Sequence, residues 1–176
     1  DFFVVPCGQK PKQSSLAFPL FVKSPVEEAS LGISQGSVVK NQKQLEHRVN
    51  WVHQSLGTDA MVESYIPGRE FYVGLLGNGR ITSFPPWELD FGQLKDKAYP
   101  VATRRVKYSK DYCHRHQISR GPAKDLNPLL QRRLQRLCRG VYRSLGLSGC
   151  ARVDLRLSPQ GQIWVLEVNP NPELAR

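Results

Sequence analysis

The strongest constraint on this chain is a pair of alternating segments near its end, Ala151–Leu157 (ARVDLRL) and Gln162–Asn169 (QIWVLEVN), joined by Ser158-Pro159-Gln160-Gly161. Strict apolar–polar alternation is the mark of a strand with one covered face, and a Pro/Gly connection between two such runs predicts a hairpin. In the first segment Arg152, Asp154 and Arg156 fall on one face and Val153, Leu155 and Leu157 on the other. In the second, Glu167 and Asn169 share a face opposite Trp164, Leu166 and Val168. A four-residue turn pairs Leu157 with Gln162 and Asp154 with Val165; one or two further loop residues bring Asp154 opposite Glu167. Directly opposed carboxylates repel, with Cβ atoms about 4.5–5.5 Å apart. Two carboxylates and an amide oxygen on one face therefore call for a cation, and an oxygen-only donor set selects a hard ion such as magnesium. The alternative for the same residues is a solvated polar face on which Arg152 simply pairs with Asp154.

The rest of the chain reads as strands in hairpins with a few helices. Phe2–Val5 is a short apolar strand followed by a Gly/Pro/Ser loop through Ser15. Residues 16–22 are apolar, interrupted by Pro19, with Lys23 at their end, and residues 37–40 form a second short strand. Leu45, Val49 and Val52 recur at helical spacing within 41–56, and Gly57 supplies the stop. Residues 61–66 and 70–76 read as strands around a Pro67-Gly68 turn, and Asn78-Gly79 leads into a further strand at 80–84. Residues 85–124 show little periodicity and read as loops. Asn127-Pro128 provides a cap and first turn for a helix that Gly146 closes. This alternation of hairpins and helices argues for an α+β fold.

The chain has 176 residues and a net charge of +10, which raises nucleic acid as a partner. Much of the excess, however, sits at Arg132, Arg133, Arg136, Arg139 and Arg143, on the outer face of the helix whose inner stripe is Leu130, Leu134, Leu137, Val141 and Leu145. A solvated basic face accounts for that pattern, and nucleic acid is not expected as the main ligand. No apolar run reaches the roughly 18 residues of a membrane span. Cys7, Cys113, Cys138 and Cys150 lie far apart without a CxxC pair, so a reducing cytoplasm is the simplest reading. The Cys113-His114-Arg115-His116 run lacks a second cluster to complete a tetrahedral metal site.

Taken with its Pro-containing continuation, the string RVDLRL…G-Q-IWVLEVNPNPEL resembles the end of the D-alanine–D-alanine ligases and related ATP-grasp enzymes. By that resemblance Asp154, Glu167 and Asn169 are the magnesium ligands, holding one or two ions with Mn2+ as a substitute. Arg152 matches an arginine that steadies negative charge on a tetrahedral intermediate. FPLFVKSPVEEASLGIS resembles the family's strand, lysine and phosphate-covering loop, placing Lys23 at the nucleotide. MVESYIPGREFYVGLLG resembles its hinge strand, which implies Glu63 and the backbone of Ser64 and Ile66 at the adenine edge and Glu70 on the ribose hydroxyls. KYSKDY resembles the segment bearing a further phosphate-contacting lysine, Lys107 here.

The resemblance implies a two-lobed ATP-grasp fold with mixed and antiparallel sheets, a small lobe over 1–66 and a larger one over 67–176, and ATP in the cleft between them. A preceding substrate domain is expected outside this segment. The implied reaction joins a carboxylate to an amine, with amino acids or similar small molecules as substrates and an acylphosphate intermediate. A homodimer is a further expectation. Two positions depart from the family pattern: Glu28-Ala29-Ser30 replaces a Gly-Ser-Ser run, and Glu173 stands where the family has a glycine. These departures leave open a second reading, a non-catalytic nucleotide- or polyanion-binding module.

Overall fold

The computed structural model describes residues 1–27 and 29–172. In chain order its strands are β1 (Phe2–Val5), β2 (Leu20–Lys23), β3 (Val38–Val39), β4 (Ala60–Ser64), β5 (Arg69–Gly77), β6 (Thr82–Ser83), β7 (Trp87–Asp90), β8 (Ser119–Pro122), β9 (Gly149–Leu157) and β10 (Ile163–Asn169). The helices are α1 (Gln42–Leu56), α2 (Leu94–Lys97), α3 (Arg104–Tyr108), α4 (Lys110–His116) and α5 (Pro128–Ser144). They fall into two compact units, one of residues 1–65 with 92–118, the other of residues 66–91 with the chain from 119 onward.

In the first unit the antiparallel order β1-β4-β2-β3 is built from strands of two to five residues. Helix α1 packs Leu45, Val49 and Val52 against Leu20, Val22 and Val62, all at most 1% exposed. At about 1.5–3 kcal/mol per fully buried aliphatic side chain, this stripe is what fixes the helix to the sheet. Its ends follow from local chemistry. Asn41 accepts a hydrogen bond from the Gln44 amide, and Gly57 closes the helix at φ 68°, a left-handed conformation natural to glycine. Residues 92–118, read from sequence as loop, instead form three short helices. Thr103 caps α3 by accepting from the Val106 amide and Ser109 caps α4 by accepting from the Tyr112 amide. At four to seven residues these helices are too short to show a hydrophobic period, which is why no pattern announced them.

The second unit holds an antiparallel sheet in the order β10-β9-β5-β7-β8, with β6 added to the end of β5. Residues 85–124 also contribute β7 and β8 here, two four-residue strands that pair Trp87 with Pro122 and Asp90 with Ser119. One face of the sheet presents Phe71, Val73, Leu75, Val153 and Leu155 to Leu134, Cys138 and Tyr142 of α5. Arg132, Arg133, Arg136 and Arg143 are exposed on the far side of that helix, as its periodicity predicts. Leu145, assigned from sequence to the inner stripe, is instead 56% exposed, because α5 ends at Ser144. The Pro67-Gly68 turn needs its glycine. At φ +123° a Cβ on Gly68 would lie 2.0 Å from the Leu157 carbonyl oxygen, so any side chain would push β5 off β9.

Candidate functional site

The site is built on the second face of the β5–β9–β10 sheet. Alternation that sends Val153, Leu155 and Leu157 to the core leaves Arg152, Asp154 and Arg156 opposite them, and likewise Glu70 and Tyr72 on β5. The pairing sets Glu70 against Arg156 and Tyr72 against Asp154. On the other side, Glu167 lies opposite Asp154 and Asn169 opposite Arg152.

That register depends on two increments. The turn is one residue longer than four, pairing Ile163 with Leu157, and a β-bulge then advances β10 by one more between Val165 and Glu167. Without the bulge Asp154 would face Leu166. The bulge also corrects one assignment made from plain alternation. Trp164 pairs with Arg156 and so stands on the same side of the pairing as Glu167, not opposite it, because the extra residue shifts the phase.

Four side chains are linked in a line on this face. Arg152 donates from Nε and Nη2 to the two oxygens of Asp154 at 2.7 and 2.9 Å. With its amide turned to satisfy both neighbours, Asn169 donates to Glu167 Oε1 at 3.0 Å and accepts from Arg152 Nη2 at 3.2 Å. Asp154 is 4% exposed. Burial pushes its carboxyl pKa upward and the charges of Glu167 and Glu70 add to the rise, while Arg152 works against it. The pairing with Asp154 in turn raises the Arg152 pKa. Glu167 is exposed at the end of that line.

A second network adjoins it. Arg156 donates to Glu70 Oε2 from Nη2 at 2.8 Å and from Nε at 3.2 Å, and from Nη1 to the Ile66 carbonyl at 2.8 Å. The Tyr72 hydroxyl donates to the other Glu70 oxygen at 2.7 Å. The Tyr72 ring also lies under Arg152, 5.2 Å from the guanidinium carbon to the ring centroid. Sequence alternation puts Arg156 on this face without giving it a role, and it does not name Tyr72. The available signal was their i+2 spacing from Glu70 and Asp154, which places each on the polar face.

The structure thus gathers Glu70, Arg152, Asp154, Glu167 and Asn169 on one sheet face, with the Ile66 carbonyl tied to it through Arg156. In the first unit Lys23 and Glu63 form an ion pair at 2.9 Å on neighbouring strands β2 and β4. Ser64 ends β4 and its amide donates to the Asp1 carbonyl at 3.4 Å. Lys107 lies in α3, partly exposed. Glu28 and Glu173, the two departures from the family pattern, lie outside the described residues.

This arrangement can be set beside known proteins. A family model described as D-ala D-ala ligase C-terminus matches residues 8–176. The chain belongs to that family. Its members' ATP-grasp architecture agrees with the α+β fold found here. An uncharacterized protein of Sinorhizobium fredii, y4sG, is 33% identical over 164 residues, covering 91% of this chain and 45% of its own. The D-alanine–D-alanine ligase of Desulfovibrio desulfuricans is 30% identical over 170 residues, covering 97% and 50%. Among solved structures, the VanG D-Ala:D-Ser ligase of Enterococcus faecalis superposes with a TM-score of 0.66 at 25% identity, over 90% of this chain and 42% of that one. The D-alanine–D-alanine ligase of Bacillus anthracis complexed with ATP gives 0.70 at 19% identity, over 98% and 49%, a likeness of fold. The chain spans half or less of the length of these curated relatives. All four cysteines are free. No helix among the described residues is long and apolar enough to cross a membrane.

Proposed function

We propose that this chain is the nucleotide-binding portion of an ATP-dependent carboxylate–amine ligase. The single observation that carries the proposal is the register that sets Asp154 against Glu167 and Arg152 against Asn169. Opposed carboxylates cost stability unless a cation serves them, and here Arg152 pairs with Asp154 while the neutral Asn169 amide donates to Glu167. The donor set fits magnesium: two carboxylates and an amide oxygen, all hard. Among the described residues no three His, Cys, Asp or Glu side chains cluster. In this reading Asp154, Glu167 and Asn169 hold the ion, which supplies charge neutralisation for the phosphates.

The chain's own groups do the rest. Lys23 and Lys107 bind phosphate oxygens, Glu70 holds the ribose, and Glu63 with the backbone of Ser64 and Ile66 reads the adenine edge. A substrate carboxylate takes the terminal phosphoryl group of ATP to give an acylphosphate; an amine attacks its carbonyl carbon and phosphate departs. Arg152 steadies the oxyanion that develops at that carbon. No protein nucleophile is required; the rate comes from positioning and charge. The names of the relatives point to D-alanine and D-serine as the first amino acids to try. A second reading, a binding module, has the closed Arg152–Asp154 pair in its favour, since a side chain locked in an ion pair is not offered to substrate.

Phosphate release from ATP and magnesium, measured across a panel of D- and L-amino acids with the full-length protein, tests the ligase. Glu167→Gln should abolish the release while leaving the fold intact, because Glu167 is exposed. Wild-type turnover in that variant removes the metal assignment; an amino-acid-independent absence of turnover in the native protein favours the binding module.

A further inference from the structure

In the first unit the turn at Gln35–Ser37, the first half of α1 and residues 98–99 surround a pocket of about 670 Å3. Lys40, Lys43, His47 and Arg48 line it, and none of its lining residues is an aspartate or glutamate. None of Lys23, Glu63, Ser64 and Lys107 belongs to it.

Arg48 is the unusual member. It sits one turn from Leu45 on the inward side of α1 and is only 7% exposed. Its Nη2 donates to the Gly32 carbonyl and, at 2.8 Å, to Ser37 Oγ, and its guanidinium stacks on the Trp51 ring at 4.1 Å. Its Nε is buried with no acceptor, and among the described residues Nη1 has no acceptor either and no carboxylate pairs with the group. Burial lowers its pKa to about 10, the sign of a cation held without a counter-charge. A buried charge without its partner is costly, and retaining one beside a pocket is explained by a partner that arrives from outside. Lys40 leans over the Tyr99 ring at 5.3 Å, and both line the same pocket, so a second cation borders that space.

We propose that this pocket binds a phosphomonoester of a small metabolite, apart from the nucleotide. Lys43, His47 and Arg48 of α1 and Lys40, which follows β3, all line the pocket, and a lining of several basic groups without a carboxylate suits a phosphate dianion. The volume exceeds what phosphate alone fills and lies within the roughly 300–1,000 Å3 usual for small-molecule sites. Val38, Val39 and the Tyr99 ring offer apolar cover for the ester's organic part.

The test uses the intact chain, with phenyl phosphate and inorganic phosphate as probes at constant ionic strength. Saturable binding is expected, tighter for phenyl phosphate, with amide shifts in the NMR spectrum centred on residues 40–48 and 99. Lys40→Ala/Lys43→Ala, both at exposed positions, should weaken binding at least tenfold while the melting temperature holds. Arg48→Met should do the same, and its melting temperature distinguishes lost binding from lost fold. Unchanged affinity in the double lysine variant overturns the proposal. So does the lack of saturation, or shifts centred instead on Lys23 and Lys107, which would place phosphate in the nucleotide site.

Discussion

Tyr72 lies directly across from Asp154 in the β5–β9 pairing, yet its hydroxyl donates to Glu70, two residues back on its own strand, at 2.7 Å. One side chain therefore touches both halves of the site: the ring lies under Arg152 and the hydroxyl holds the carboxylate assigned to ribose. Burial and the neighbouring Glu70 charge raise the Tyr72 pKa, so it remains a donor at all ordinary pH values. Tyr72→Phe should keep the ring and leave one Glu70 oxygen without its donor. The expected loss is about 1–3 kcal/mol of stability, read from urea unfolding. An unchanged midpoint means that Glu70 is satisfied some other way.

Glu70 and Arg156 should behave as a buried pair and Arg69–Glu88 as a surface one. Both members of the first are 5% exposed at the side chain, against 36% for Arg69. Glu70→Ala strands a buried guanidinium and should cost about 3–5 kcal/mol. Arg69→Ala should cost about 1 kcal/mol or less. Nucleotide affinity is then best compared in Glu70→Gln, which keeps the shape of the side chain and should weaken ATP by about 1–3 kcal/mol by calorimetry. Equal stability losses at Glu70 and Arg69 would contradict the burial assigned to the first pair.

For Arg152 the two functional readings diverge. If the guanidinium serves charge that develops only in the transition state, Arg152→Ala should lower turnover about 10²–10³-fold with little change in ATP affinity. If it only neutralises Asp154, the loss should appear in metal affinity or stability, because two opposed carboxylates are then left facing each other. Turnover and ATP binding measured on this one variant separate these outcomes.

Cys138 supplies a pH test away from the site. It is wholly buried against the sheet, and burial lifts its thiol to about 12. The folded state therefore holds the proton more tightly than the unfolded state, whose thiol titrates near 9. By linkage, stability must fall as pH rises from about 9, on the order of 1 kcal/mol per unit for one proton. Cys138→Ala should flatten that slope relative to the native chain. Under native conditions a thiol reagent should label exposed Cys7 and spare Cys138. Equal labelling of both would contradict the packing of α5.

Much of the site is written locally, and for that reason could be read in advance. Period-two alternation at Arg152–Arg156 fixed the polar face, and the longer turn supplied one of the two increments that set Asp154 against Glu167. The cap of α5, Asn127, is likewise a single-residue signal. What escaped depends on distance along the chain. Arg156 meets Glu70 across 86 positions, and no local pattern encodes which arginine will neutralise which carboxylate. The bulge near Leu166 escaped as well, since Trp164-Val165-Leu166 carries no glycine or polar break to mark it. Arg48 was hidden by its type: a long cation on a helix reads as surface, and only the packing on Trp51 shows otherwise.

The bulge makes the hairpin intolerant of changes in length in a direction-dependent way. Deleting one residue between Gly161 and Val165 would leave two ways to realign β10. It could keep Ile163's partner and lose Glu167's, or absorb the deletion by straightening the strand and keep every pair from Glu167 onward. The second route preserves the chemistry and sacrifices only contacts near the turn. A deletion after Glu167 has no slack to draw on and must move Asn169 away from Arg152. Leu166 is thus a spare link in the strand, and loop-length variation among related chains should concentrate on its N-terminal side.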